Sequence, residues 1–435
     1  MSENQTMFVA TDNPIFRYKK LNLPTITDAA VRHGIVYRPE ETLFNYPAWP
    51  SVCSDENGVL YATSAAFGSQ HICPFNKYAM YISRDHGKTW SLPMILTDSY
   101  VADGHGGITY LGNGKLLASW SYHPGDVLYE SYWGRITNTL FGRQQSPFGR
   151  VRQAMLEMYP TLPPEKMVGG SFVRISEDYG VTWGKPIRVP IASPHGPCQL
   201  PDGTILYLGK EFFASPEGTF RAYENGFPEP LQASNFKEYV EKLGNMRCGL
   251  ESGKTPIFAY ASTDGGLTWE KRGLCDKPDD LDWYDSHEPH ATVLPDGTIL
   301  GVIRVEREGE YENDFTLYTT RSNDGGYTWS EWVCTHVSGS PGHLLQHSSG
   351  ALICSFGRRC GEALGEYAIV SHDGGLTWTE EYEICRSNDS DLGYAASVVL
   401  PDHSILTVYY QHYSDPETGN DDRYPSILCT QWNLK

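Results

Sequence analysis

Two sets of short stretches in this chain hold residues whose types could do chemistry. Asp103-Gly104-His105, Pro194-His195-Gly196, His287-Glu288-Pro289-His290, Gly342-His343 and Gly393-Tyr394 each open an apolar run. Lys210-Glu211, Arg304, Arg358-Arg359 and Tyr409-Tyr410-Gln411 each close one. Carboxylates and imidazoles at such positions can exchange protons with a substrate. Arginines can hold an anion through paired N–H donors. Each residue also has a plainer reading. A lone histidine at a strand end is more often a hydrogen-bonded structural residue. Glu288 beside Arg304 could form a simple ion pair, and Tyr394 could be a core aromatic. The His287-x-x-His290 pair has no partner spacing that matches a zinc site. No metal and no cofactor are therefore expected.

These residues need elements to bring them together, and internal repeats supply them. Ser-x-Asp-x-Gly-x-Thr-Trp occurs at 83–90, 176–183, 262–269, 322–329 and 371–378. Each copy reads as a hairpin tip. The Asp accepts turn N–H groups, Gly permits positive φ, and Trp packs under the turn. Six apolar–turn–apolar hairpins run through 48–66, 105–121, 194–210, 289–305, 342–358 and 393–411. Their turns are mostly Asn-Gly or Asp-Gly, a strong hairpin signal. A hairpin plus the two strands flanking an Asp turn makes a four-stranded blade. Six blades make an all-β, six-bladed β-propeller, one domain over 1–435. The sixth blade is expected to close with Ser426–Asn433 and an N-terminal segment near Phe8–Phe16. Residues 124–168 and 211–256 read as insertions on one face, with helical candidates at Arg150–Met158 and Asn235–Leu243.

In such a disc the first strand of each blade lines the axis. Both sets of stretches then converge on one axial face. Pairing about the turns sets His195 opposite Lys210, Glu288 opposite Arg304 and Tyr394 opposite Gln411. Strand alternation lets only one of Arg358 and Arg359 face the axis.

Composition limits the partners. Lys and Arg total 34 and Asp and Glu 53, a formal charge of −19. That balance repels phosphate backbones, so no nucleic acid is expected. No apolar run is long enough for a membrane span. The N-terminal residues lack a basic stretch followed by an apolar one, so a cytoplasmic location is expected. The ten cysteines form no CxxC pair and read as buried thiols. If a homo-oligomer forms, the two insertions are its expected contact.

The five Asp-boxes on six blades resemble the sialidase (neuraminidase) superfamily, over roughly residues 35–433. His287-Glu288-Pro289-His290 through Arg304 is similar to the family segment that carries the catalytic Glu and an arginine of the carboxylate-binding triad. Gly393-Tyr394-Ala395-Ala396-Ser397-Val398 is similar to the segment that carries the nucleophilic Tyr. Arg358 or Arg359 matches a further triad arginine. Two features depart from the family. Its Arg-Ile-Pro opening is replaced by Tyr46-Pro47-Ala48-Trp49-Pro50. The loop that should hold an acid/base Asp, Phe67–Ile82, has no Asp or Glu and offers His71.

The resemblance implies a retaining hydrolase of terminal sialic acid or a related anionic sugar. Tyr394 would be the nucleophile and Glu288 its base. Asp103 or His105 would be the acid. Arg304, Arg358, His105, His195, His287 and His343 would bind the substrate. A tyrosine suits a sugar whose anomeric carbon bears a carboxylate, because a carboxylate nucleophile would be repelled. Two alternatives remain open at this level: a propeller lyase or hydrolase using His and Tyr on uronic-acid glycans, and a non-catalytic glycan-binding propeller.

Overall fold

The computed structural model describes residues 23–40, 44–68, 73, 75–99, 102–122, 170–211, 255–306 and 315–435. Both insertions, their helical candidates, His71 and the Phe8–Phe16 segment lie essentially outside these residues. The repeats fold as six antiparallel sheets arranged as propeller blades. Blade one runs Tyr46–Ser54, Leu60–Gly68, Lys77–Ser83 and Met94–Thr97. Blade four runs Ser286–Val293, Ile299–Glu306, Phe315–Ser322 and Val333–Ser338. In blades two and three the innermost strand is split, into Asp103–Gly104 with Ile108–Gly112 and Ile191–Ala192 with Cys198–Gln199.

Closure combines the two ends of the chain. Blade six runs Gly393–Val399, Ile405–Ser414 and Asp421–Trp432, and its outermost strand is Ala30–Tyr37, antiparallel to Asp421–Trp432. The closing strand is thus 30–37. Its alternating exposure, with Val36 inward, suits an edge position. Thr25–Ile26 adds a parallel fifth strand to blade five, beside Glu381–Tyr382.

The core lies in the seams between blades. Blades six and one share Trp49, Val52, Tyr81, Leu406, Val408 and Ile427. Similar apolar clusters fill the other seams. The Asp-boxes clip these seams from the periphery. In the third box Asp264 accepts from Ser262 Oγ (2.8 Å), Thr268 N (2.9 Å), Leu267 N (3.0 Å) and Thr268 Oγ1 (2.6 Å). In the fourth, Gly326 holds φ of 93° and packs on Leu206 of the preceding blade; a Cβ there would sit 2.8 Å from that side chain.

Candidate active site

Local backbone irregularity aims the axial side chains. Trp49, His105, Glu288 and Tyr394 all adopt positive φ, at 56°, 49°, 41° and 56°. Each lies eight residues before the turn residue of its own hairpin: Asn57, Asn113, Asp296 and Asp402. Pairing slips beside three of them, between Ala48 and Ser51, His287 and His290, and Gly393 and Ala396. A bulge rotates one residue out of the pleat and so re-aims its side chain. It also moves the register. Arg304 pairs with His287, Tyr410 with Gly393 and Lys210 with Ala192, one to three residues from the pairing expected from the turns. Such φ values are uncommon for residues with a Cβ and cluster at functional sites.

The result is a cluster on the axis. Tyr394 Oη donates to Glu288 Oε1 at 2.5 Å. Arg304 Nη1 donates to Glu288 Oε2 at 2.5 Å, and its Nη2 bonds Glu306. The His105 ring lies parallel to Tyr394, with centroids 6.1 Å apart, and Trp49 meets His105 edge-on at 3.9 Å. Burial opposes ionisation of Glu288, but Arg304, His105 and the Tyr394 hydroxyl outweigh it and hold its pKa at about 2. Tyr394 is pushed the other way, above the usual phenol range, by burial first and by the Glu288 charge. The resting pair is therefore a neutral phenol bonded to a carboxylate.

Arg359, rather than Arg358, reaches the cluster. Arg358 runs along its sheet to Glu381 on the fourth strand (2.5 and 3.3 Å) and lies over Tyr367. Arg359 is past the strand end, so alternation no longer directs it. Its Nε donates to Leu392 O at 2.7 Å and its guanidinium sits 5.3 Å from the Tyr394 ring centre. Its Nη2 is buried with no hydrogen-bond partner among the described residues. The two cations, Arg304 and Arg359, are matched by Glu288 and Glu306 at Arg304, so the site is not strongly positive.

Asp103 does not join the cluster. Its side chain is buried, Ser99 N donates to it at 2.6 Å, and burial raises its pKa to about 7. The split first strand turns it outward, toward Arg174 and Trp120. His195 and His343 do converge, but as a buried group with His290. Ring centroids lie 5.2 Å (His195–His343), 5.6 Å (His195–His290) and 4.4 Å (His290–His343) apart. Burial lowers the pKa of all three, that of His195 to about 4. They are neutral near pH 7 and bring no positive charge. Leu344 N donates to His290 Nδ1 at 3.0 Å and Ser397 N to His343 Nδ1 at 3.3 Å. Those two neutral rings therefore carry their proton on Nε2, which suits hydrogen bonding better than metal ligation. His287 faces a side pocket of about 190 Å³ shared with Glu288, His105 and Lys210.

Trp49 lies outside the pattern of ionisable strand ends; His290 and Arg359 lie within it, but substrate binding is expected there of their neighbours His287 and Arg358. The constant eight-residue spacing to the turn would have found Trp49. No sequence signal separates Arg359 from Arg358.

Comparison with known proteins bears on the fold. A family profile described as BNR/Asp-box repeat matches residues 81–92. No curated protein matches the chain. Among solved structures, a protein of unknown function from Dyadobacter fermentans is 19% identical, with a TM-score of 0.64, covering 93% of this chain and 99% of its own. A leech intramolecular trans-sialidase is 14% identical, with a TM-score of 0.60, covering 92% and 70%. An α-L-arabinofuranosidase from Fusarium graminearum is 12% identical, with a TM-score of 0.57, covering 93% and 98%. At these identities the likeness speaks for the fold. Together with the five Asp-boxes and six blades, it establishes a six-bladed β-propeller bearing Asp-box repeats, a fold similar to that of these structures.

Proposed function

We propose that this protein is a retaining glycoside hydrolase that releases a terminal anionic sugar of the sialic acid type, with Tyr394 as nucleophile. The observation that carries the reading is the 2.5 Å bond from Tyr394 Oη to an ionised Glu288. A nucleophile within hydrogen-bond reach of a base, itself oriented by a third group, is the arrangement covalent catalysis needs. Arg304 is the third group, since both of its terminal nitrogens hold carboxylates.

In the first step the Tyr394 oxygen bonds the anomeric carbon and the glycosidic C–O bond breaks. The phenol proton passes to Glu288, and the departing oxygen takes a proton from the imidazolium form of His105. In the second step water attacks the anomeric carbon and the bond from that carbon to the Tyr394 oxygen breaks; His105 recovers a proton from the water, and Glu288 returns one to the phenolate. His105 is preferred to Asp103 as the acid because its ring lies against Tyr394. Arg359 supplies the uncommitted buried N–H that a substrate carboxylate would meet. Trp49, which occupies the family's arginine region, offers an aromatic wall in place of a third cation.

Incubation with a fluorogenic sialoside tests the activity, and a fluorinated sialosyl donor tests the nucleophile. Fluorophore release and a label on Tyr394 are expected. A label on an acidic residue, or an unsaturated product from a polyuronate with no sialoside cleavage, would overturn the mechanism.

A further inference from the structure

Two histidines occupy matching places in neighbouring blades. His290 in blade four and His343 in blade five each lie six residues before the turn residue of their own hairpin, Asp296 and Ser349. The other four blades carry Ser51, Gly107, Gly196 and Ala396 there. Each imidazole reaches the innermost strand of the next blade. Leu344 N of blade five donates to His290 Nδ1 at 3.0 Å, and Ser397 N of blade six donates to His343 Nδ1 at 3.3 Å. The donors match as well, each five residues before its turn residue, Ser349 and Asp402. The two rings stack, with 4.4 Å between centroids and 15° between planes. A line of side chain–backbone bonds thus runs from blade four through blade five to blade six.

Blades four and six are the ones that carry Glu288 and Tyr394. Glu288 lies two residues before His290, and Tyr394 three residues before Ser397. Both sit where pairing with their own sheet slips, between His287 and His290 and between Gly393 and Ala396. The sheet holds a bulged segment less firmly than a regular one. An innermost strand is also a sheet edge, and its outward N–H groups need another acceptor when buried. Each imidazole supplies that acceptor beside a bulge. Burial keeps both rings neutral, which leaves Nδ1 able to accept. Satisfying two buried donors is a structural role in itself. Their place beside the two bulges gives them a second one.

We propose that His290 and His343 are positioning residues that set the spacing of Tyr394 and Glu288 by tying together the innermost strands of blades four, five and six. Their role in catalysis rests on the glycosidase reading, whereas the tie itself can be measured without it. Misplacement of reacting groups by ~1 Å costs on the order of 10²-fold in rate, so a loosened tie shows first in kcat.

Asparagine and glutamine separate the tie from the fold. The amide oxygen of asparagine falls near the place of Nδ1 and that of glutamine near Nε2, so both stay polar but only asparagine keeps the acceptor. With a fluorogenic sialoside, His343→Gln is expected to lower kcat ~10²-fold with KM little altered, and His343→Asn to restore most of that loss. Equal losses in the two variants, or a loss in neither, would overturn the proposal, whatever happens to the urea midpoint. The same pair of substitutions at His290 takes their place if His343→Gln does not fold. Crystal structures of the variants give a readout that needs no turnover. The distance from Tyr394 Oη to Glu288 Oε1, 2.5 Å in the native protein, should exceed hydrogen-bond reach in the glutamine variant and stay within it in the asparagine variant. If the native protein cleaves no sialoside, the glycosidase reading fails and this distance alone decides: opening in glutamine but not asparagine supports the tie, and any other result overturns it.

Discussion

The hydroxyl of Tyr394 and the carboxylate of Glu288 meet at 2.5 Å although 106 residues separate them and they belong to blades six and four. Bulges at topologically equivalent points in the two blades turn both side chains to the axis. Because Glu288 is shared between this phenol and Arg304, changes to either residue should be read through the pair.

Tyr394→Phe removes the attacking oxygen while keeping the ring against His105 and Tyr410. Loss of a nucleophile typically costs kcat ~10³-fold or more with little change in binding. Steady-state kinetics together with calorimetric titration of a substrate analogue check this. Retained turnover would exclude Tyr394 as nucleophile.

Glu288→Gln should make acid stability differ from that of the native protein over a defined window. The folded pKa of Glu288, about 2, is depressed from an ordinary 4.5. The ionised group therefore contributes stability above pH 4.5, and that contribution is lost as pH falls through about 2. Unfolding midpoints measured at steps between pH 6 and 2, as rough bounds of that window, should show the native advantage over the variant shrinking toward the acid end. A constant difference across the series would contradict the ionised assignment.

The adjacent arginines should separate cleanly. Arg359→Ala is expected to raise KM ~10-fold or more by removing a charge-assisted contact, with a smaller effect on stability. Arg358→Ala should leave KM unaltered but destabilise the fold by about 3 kcal/mol, since it strands Glu381 in a mostly buried pair. Urea unfolding and substrate saturation curves, measured on both variants, distinguish them. The reverse pattern would restore Arg358 as the anion-binding residue.

His105→Gln tests the leaving-group proton. Its effect on kcat should be ~10²-fold for a sugar leaving group, within the usual range for general acids, and much smaller for a nitrophenyl one that departs without protonation. Equal losses with both leaving groups would limit His105 to positioning Tyr394.

Asp264→Ala tests the peripheral clips. The Asp264 carboxylate sits at about 2, held down first by the Thr268 hydroxyl and then by turn amides. Its removal should cost about 1–2 kcal/mol in hydrogen bonds and leave kinetics unchanged. The difference should be fully present above about pH 4 and fade as the carboxylate protonates toward pH 2. A change in kcat would mean the box reaches the site.

The amino-acid sequence by itself determined the blade count, the peripheral boxes and the axial face. Turn chemistry and apolar alternation are local, and eight residues suffice to specify an Asp-box. It also brought Glu288, Arg304, Tyr394 and His105 to one place, because repeated strands put equivalent positions at equivalent heights. Only the tertiary structure decided what depends on departures from regularity. Bulges shifted the pairing of His287 with Arg304 and of Gly393 with Tyr410. The split strand sent Asp103 away from the axis. The chain beyond residue 358 turned Arg359 inward while Arg358 went to Glu381. Closure by Ala30–Tyr37 placed Arg38 beside Asp422, 384 positions along the chain. These outcomes follow from competition among distant groups for burial and charge pairing, which no local pattern of residues encodes.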